Sequence, residues 1–255
     1  MQMLSSDLIS ELLLGMRLDG LHYNRIQISP PFGVRFGEDP TRAQFHFIAR
    51  GRVYLRTDSG VVHTLEAGDA VLLPRGGIHA LLSDPSIPCL DVTDYSVTTI
   101  CRRVDDIHAC KAEQCRSTDT LIFSGCMEFD LGGMHPLVSM MPEVMQVGTL
   151  IDRNPELLPV LEAMAREVST ERAGFAGILT RLADVVSASI VRDWVECGCG
   201  DAQGWVEALR DPRMGRVIAA IHRDPGRNWT VEMMASEMGS SRSVFAERFL
   251  EVAGV

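Results

Sequence analysis

No apolar run in the 255 residues approaches the ~18 consecutive apolar positions that a membrane-spanning helix requires. The N-terminus, Met1-Gln2-Met3-Leu4-Ser5-Ser6-Asp7, has no basic stretch ahead of an apolar one and so does not read as a secretory leader. Lysine is nearly missing, Lys111 being the one lysine among 24 basic residues, and positive charge is short overall, with a net charge of −10. That balance alone disfavours a nucleic-acid partner, because phosphates are held by clustered Lys and Arg. The seven cysteines are an odd count in a chain that is 46% hydrophobic. A disulfide scaffold is not expected from such a chain; the cysteines read as thiols or metal ligands in a reducing compartment. The same composition excludes disorder and a collagen-like architecture, and it allows one or two hydrophobic cores. What remains is a soluble cytoplasmic protein with no membrane partner.

The charge deficit is uneven. From Asp211 onward six arginines (213, 216, 223, 227, 242, 248) balance six acids (211, 224, 232, 237, 247, 251), so the first 210 residues carry the whole −10. Two units with different partners follow from this: residues 1–196, and residues 205–255 beyond the glycine-rich linker Cys197–Gly204.

Along the first unit, Leu8, Ile9, Leu12, Leu13 and Met16 form one helical stripe behind Ser6 as N-cap. From about His22 to Leu82 short β-rich runs alternate with turn signals. They include Phe45–Ile48, Val53–Thr57, Val61–Leu65, Ala70–Leu73 and Ile78–Leu82, a spacing that predicts an antiparallel sandwich or barrel. Asp84–Asp119 reads as a long loop, followed by a strand pair, Leu121–Phe123 and Cys126–Phe129. Helical stripes then run from Leu157 to Val168 and through Phe175, Ile178, Leu179, Leu182, Val185, Val186, Ile190, Val191 and Trp194. The second is long enough to serve as a homodimer seam or to cover the sheets.

The densest motif is Trp229-Thr230-Val231-Glu232-Met233-Met234-Ala235-Ser236-Glu237-Met238-Gly239-Ser240-Ser241-Arg242-Ser243-Val244-Phe245-Ala246-Glu247-Arg248-Phe249. Thr230 caps one helix, Ala235 admits a close crossing, Gly239 supplies a left-handed turn and Ser241 caps a second helix. Phe245 and Phe249, four apart, bury one face of that second helix against Met214, Val217, Ile218 and Ile221. Arg242, Ser243, Ala246 and Glu247 then face outward, at the spacing that reads a major groove. This segment resembles the first helix-turn-helix of the AraC/XylS family of bacterial transcription regulators. The resemblance implies promoter DNA as partner, base contacts from Ser243, Ala246 and Glu247, phosphate contact from Arg242, and RNA polymerase as a further partner. Family members continue past Gly254-Val255 with a second helix-turn-helix, so the chain reads as one truncated after the first, and its grip on DNA is expected to be weak.

A second motif, Gly68-Asp69-Ala70-Val71-Leu72-Leu73-Pro74-Arg75-Gly76-Gly77-Ile78-His79, resembles the second motif of cupin barrels, with Phe45–Gly51 near the place of the first. Cupin enzymes hold a metal with two or three His and a Glu. Here the His-x-His pair and the Glu are missing and Ser83 replaces the customary Asn, so a catalytic metal is not expected and no enzyme activity is assigned. His46 and His79 stand as ligand contacts, with packing histidines as the alternative. The third signal is Cys101, His108, Cys110 and Cys115, soft or borderline donors with zinc as the expected ion and free or redox-active thiols as the alternative.

The expected fold is therefore α+β, a cupin-like antiparallel β-barrel with flanking helices followed by an all-α helix-turn-helix segment. The expected function is a DNA-binding regulator whose cupin domain senses an unidentified small-molecule effector, a metal or a redox signal. The alternative is a cupin-fold metal-binding protein or enzyme without DNA function.

Overall fold

The structure, a computed structural model, describes residues 17–37, 42–111, 118–130, 138, 141–148, 154–197, 211–224 and 226–253. The helix expected at Asp7–Met16, the linker beyond Cys197, and Cys115 lie outside them. Leu18–Phe129 with Pro142–Ile190 makes one compact unit, and the chain from Val191 onward belongs to another.

The first unit is built on two sheets. Strands β1 (Arg17–Ile28), β3 (Ala43–Arg50), β6 (Ala70–Leu73), β9 (Val97–Cys101), β10 (Val104–Ala109), β11 (Thr120–Asp130) and β12 (Met145–Gln146) form a seven-stranded sheet in the order β12-β6-β3-β11-β1-β10-β9. Strands β2 (Gly33–Phe36), β4 (Val53–Thr57), β5 (Val62–Leu65), β7 (His79–Leu82) and β8 (Leu90–Asp91) form the second, in the order β5-β4-β7-β2-β8. Alternation decides which side chains face inward. Ile26, Ile28, Ile48, Val71, Leu73, Ile107 and Ile122 of the first sheet pack on Val34, Phe36, Val53, Leu55, Leu65 and Leu81 of the second.

Two expectations are corrected. β1 pairs with β10, and β2 with β8, in parallel, and among the described strands the two mixed sheets do not close into the expected antiparallel barrel. Their source is the segment read as a loop, Asp84–Asp119, which supplies β8, β9 and β10. β9 lies at a sheet edge with every residue exposed, and β10 buries only Val104 and Ile107, so neither carries the apolar alternation that marks a half-buried strand. Leu121–Phe123 and Cys126–Phe129 are likewise one strand, β11, not two. Gly125 between them is no turn: a Cβ there would lie 2.6 Å from the Tyr23 ring, so the glycine makes room for a neighbour.

Helix α1 (Leu158–Thr170) turns Leu161, Met164 and Val168 inward, and α2 (Phe175–Cys197) follows it. Arg25, 5% exposed on β1, fastens α1 to the seven-stranded sheet. Its guanidinium donates to the Val168 carbonyl at 3.0 Å and pairs with Asp106 at 2.7 Å and with Glu171 at 2.6 Å. Glu171 holds a left-handed backbone, φ 47°, which a non-glycine residue adopts only when its surroundings impose it.

The last segment has three helices, α3 (Pro212–Arg223), α4 (Val231–Met238) and α5 (Arg242–Ala253). Asp211 caps α3 by accepting from the backbone of Arg213 and Met214, and Thr230 caps α4 by accepting from Met233. Gly239 ends α4 at φ 71°, the left-handed C-cap expected of it. Met214, Val217, Ile218, Ala235, Met238 and Phe245 are buried. Phe249 is not: it is 43% exposed, contrary to the expectation of a two-phenylalanine buried face. The rings of Phe245 and Phe249 do meet, at 5.9 Å between centroids, but Phe245 alone reaches the core.

Candidate functional site

His46 stands on β3 and shares the inward face with Ile48, while His79 opens β7 on the opposite sheet. The two meet across the interior. His46 Nε2 lies 2.7 Å from His79 Nε2, His46 Nδ1 lies 2.8 Å from the Ser124 hydroxyl on β11, and His79 Nδ1 lies 2.8 Å from the Gly77 carbonyl. Phe36 closes one side, its ring stacked on His79 at 5.5 Å and tilted against His46 at 4.9 Å.

Proton positions follow from the partners. A carbonyl only accepts, so His79 Nδ1 carries the proton donated to Gly77 and, in the neutral ring, Nε2 is an acceptor. His46 Nε2–H then donates to it, and His46 Nδ1 accepts from the Ser124 O–H. Both rings are neutral. Burial pushes His79 down to about 4, and burial followed by the neighbouring His79 pushes His46 well below the ordinary histidine range. The result is one polar chain, Ser124 to His46 to His79 to Gly77, that links the sheets with every ring nitrogen satisfied.

In this arrangement the facing Nε2 atoms are taken up by the hydrogen bond between the two rings. Among the described residues no three His, Cys, Asp or Glu side chains gather where they would hold an ion.

The residues expected to hold zinc are not all brought together. Antiparallel register sets Cys101 opposite Val104 and Val97 opposite Ile107, which places Cys101 and His108 at opposite ends of the β9–β10 hairpin, roughly 13 Å apart at the usual strand rise. His108 and Cys110 share one end of that hairpin. Cys89 sits elsewhere, its sulfur 4.0 Å from the Arg56 guanidinium.

On α5, Arg242, Ser243, Ala246 and Glu247 are all exposed, as expected, while Phe245 between them is 3% exposed. Arg242 pairs with Glu232 of α4 at 2.7 Å, a partner not foreseen in the sequence. Arg248 bridges Asp211 at 2.9 Å and Glu251 at 3.0 Å, tying α5 to the start of α3. Although burial opposes it, the backbone N–H groups of Arg213 and Met214 and the Arg248 guanidinium hold the Asp211 carboxyl below the usual carboxylate range. The Ser124 hydroxyl was the part of the interior site missed as a partner, because nothing local marks a strand serine that aligns with His46 through the β3–β11 register.

A family model described as Cupin matches residues 7–196. The chain is 28% identical over 209 residues to the HTH-type transcriptional regulator AlkR of Acinetobacter baylyi, spanning 81% of this chain and 67% of that protein. It is 26% identical over 225 residues to a putative AraC-like transcription regulator of Streptomyces lividans, spanning 88% of this chain and 71% of the other. Of solved structures, ToxT of Vibrio cholerae aligns with 95% of this chain and 76% of its own at 11% identity and a TM-score of 0.34. The chain belongs to the cupin family, and the relatives it resembles along most of its length are AraC-like transcription regulators.

Proposed function

We propose that this chain regulates transcription, with a small-molecule, metal or redox signal acting on the cupin unit and with promoter DNA read by the exposed face of α5. The observation that carries the DNA-reading role is the local geometry: α4 is capped by Thr230 and ends at a left-handed Gly239, and α5 follows it anchored by buried Phe245, with Arg242, Ser243, Ala246 and Glu247 among its exposed residues. The relatives are regulators rather than enzymes, which supports a non-catalytic role. His46 and His79 are the proposed polar contacts of the effector, which exchanges its own hydrogen bonds for the one between the two rings. Self-association through α2 belongs to the same proposal, carried by Ile178 and Val185, 45% and 49% exposed at a seven-residue spacing on one face. A zinc clip at His108, Cys110 and Cys115 is a further proposal. Elemental analysis of the purified chain and of its His108→Ala, Cys110→Ser variant tests it, equal and negligible zinc in both being the negative result.

Base reading has a specific form. Ala246 offers a methyl suited to thymine, and Glu247 accepts from a cytosine amino group while repelling nearby phosphate. Selection from a random duplex library should enrich a sequence with the full chain, and Glu247→Ala should relax preference at one base pair, costing ~1 to 3 kcal/mol there. Arg242→Ala should weaken all duplexes alike. Glu232→Gln should strengthen them alike, because it frees Arg242 from its ion pair. No enrichment, or a preferred sequence untouched by Glu247→Ala, rejects this face as the reader.

A further inference from the structure

Helix α5 is held to the rest of its segment by few contacts. Among its described side chains Phe245 alone is buried. Helices α3 and α4, by contrast, bury Met214, Val217, Ile218, Ala235 and Met238 and are tied by Arg216, which donates to the Met238 carbonyl at 3.3 Å. One apolar anchor fixes a point on a helix and leaves its direction open. Direction comes from polar links to the neighbouring helices, Arg242 to Glu232 of α4 and Arg248 to Asp211 at the start of α3.

The two links differ in kind. Arg242 and Glu232 have 67% and 56% of their side chains exposed, and the proposed phosphate contact draws Arg242 away from Glu232 when DNA is bound. The Asp211 side chain is 16% exposed, and both of its oxygens are engaged. Oδ1 accepts from the backbone N–H groups of Arg213 and Met214 at 2.8 and 3.3 Å, which caps α3. Oδ2 accepts from Nε and from one terminal nitrogen of Arg248 at 3.0 and 2.9 Å, so two N–H groups on one edge of the guanidinium converge on it and fix its plane. The other terminal nitrogen turns back to Glu251 of α5 at 3.0 Å. A carboxylate already committed to a helix N-cap does not follow a moving arginine, so Asp211 acts as a fixed post.

The helix geometry gives this link its leverage. At about 100° per residue Arg248 lies about 60° around the helix from Phe245, on the packed side, while Glu247 lies about 160° from Phe245. Phe245 and Arg248 are also separated by roughly 4.5 Å along the axis. Two points at different heights and angles fix both tilt and roll, which one point cannot. Roll matters most to residues that meet base edges, because such contacts hold only within ~0.5 Å and ~10 to 20° of their productive geometry.

We infer that Asp211 is a positioning residue for the reading helix: it caps α3 and, through the Arg248 guanidinium, sets the tilt and roll at which α5 presents Ser243, Ala246 and Glu247. This rests on the proposal that α5 reads DNA, and it adds to that reading a residue 37 positions from Arg248 in the chain, on a different helix. Once Arg242 has moved to phosphate, Phe245 and the Asp211–Arg248 link hold the helix in place.

Asp211→Asn separates the two duties of the carboxylate. Asparagine caps a helix as well as aspartate does, so Arg213 and Met214 keep their acceptor, but its amide nitrogen meets Arg248 donor to donor. Arg248→Gln breaks the same link and leaves the cap untouched. In the full chain, residual dipolar couplings give the directions of α3, α4 and α5. Affinities are measured for the selected duplex, for its variant at the Glu247-dependent base pair, and for an unrelated duplex. Both protein variants should keep the far-ultraviolet circular dichroism of wild type and its α3 and α4 couplings, while the α5 couplings no longer fit the wild-type direction. The ratio of affinities for the selected and variant duplexes should fall about threefold or more in each, and the double variant should be no worse than either single one. Arg248→Lys keeps the charge without the planar fork and should fall between. Glu237→Gln, which removes one exposed acid of α4 and so the same charge as Asp211→Asn, should leave the ratio unchanged. Unchanged α5 couplings in Asp211→Asn and Arg248→Gln would overturn the inference. So would an unchanged ratio with all three affinities shifted alike, which is the mark of charge alone. Should Asp211→Asn lose α3, Arg248→Gln decides; should wild type prefer no duplex, the DNA-reading proposal fails and the couplings still decide the role of Asp211.

Discussion

The two-sheet unit and the α3–α5 segment handle polar side chains in opposite ways. In the first, His46, His79, Ser124 and Arg25 are all at most 5% exposed and each is matched by a named partner. In the second, the core is a few apolar side chains around Phe245, and Arg242, Glu232, Arg248 and Glu251 make their pairs in solvent. The difference is one of scale. Two facing sheets exclude enough water for a polar bond to be both necessary and strong, whereas three short helices have too little interior to enclose one. Buried polar bonds therefore specify how the sheets meet, while the helical segment depends on caps, one aromatic anchor and surface charge that is free to exchange partners.

That contrast predicts where each region is fragile. The largest effect should come from Phe245→Ala, about 3 to 5 kcal/mol in chemical denaturation monitored on the helical segment. Phe249→Ala, four residues away but 43% exposed, should cost about 1 kcal/mol or less. Equal costs for the two would show that the segment buries both rings.

Next in size is the acid sensitivity of the sheet unit. His79 has its folded pKa near 4 and its unfolded pKa near 6.5, so between these values the unfolded chain binds more protons. Stability is then complete above about pH 6.5 and is lost as pH falls toward 4, by about 3 kcal/mol from this group. Urea midpoints of the wild type and of His79→Gln, measured across that window, should diverge in slope, with the variant the flatter. Parallel slopes would mean that the ring is not held neutral by burial.

The smallest effect on stability should accompany the clearest change in assembly. Ile178→Glu with Val185→Glu places charge on exposed positions of α2, so unfolding should move by about 0.5 kcal/mol or less while sedimentation shows a lower oligomeric state. The buried neighbours Leu179 and Val186, both 0% exposed, are the wrong places for that test, although the same sequence stripe contains them.

Local chemistry determined much of this protein directly. The runs at Val53–Thr57 and Ala70–Leu73 form strands over those residues. Thr230 through its hydroxyl and Gly239 through its freedom to turn left-handed serve as the caps expected of them, because capping depends on a few neighbouring backbone groups and no distant partner. His46 and His79 were legible as candidates, since a histidine on an apolar strand stands out. What only the tertiary structure decided is everything that needs two distant segments at once. The parallel placement of β10 beside β1 turned an apparent loop into a sheet edge. The β3–β11 register brought Ser124 to His46, and the facing of two sheets brought His79 to the same ring. Leu121–Phe123 and Cys126–Phe129 read as a strand pair along the chain because the constraint that seats Gly125 within a single strand, the Tyr23 ring, comes from another strand. Propensity and periodicity are carried by neighbours in sequence, whereas hydrogen-bond partners and the burial of one phenylalanine over another arise only when the folded chain sets remote residues in contact.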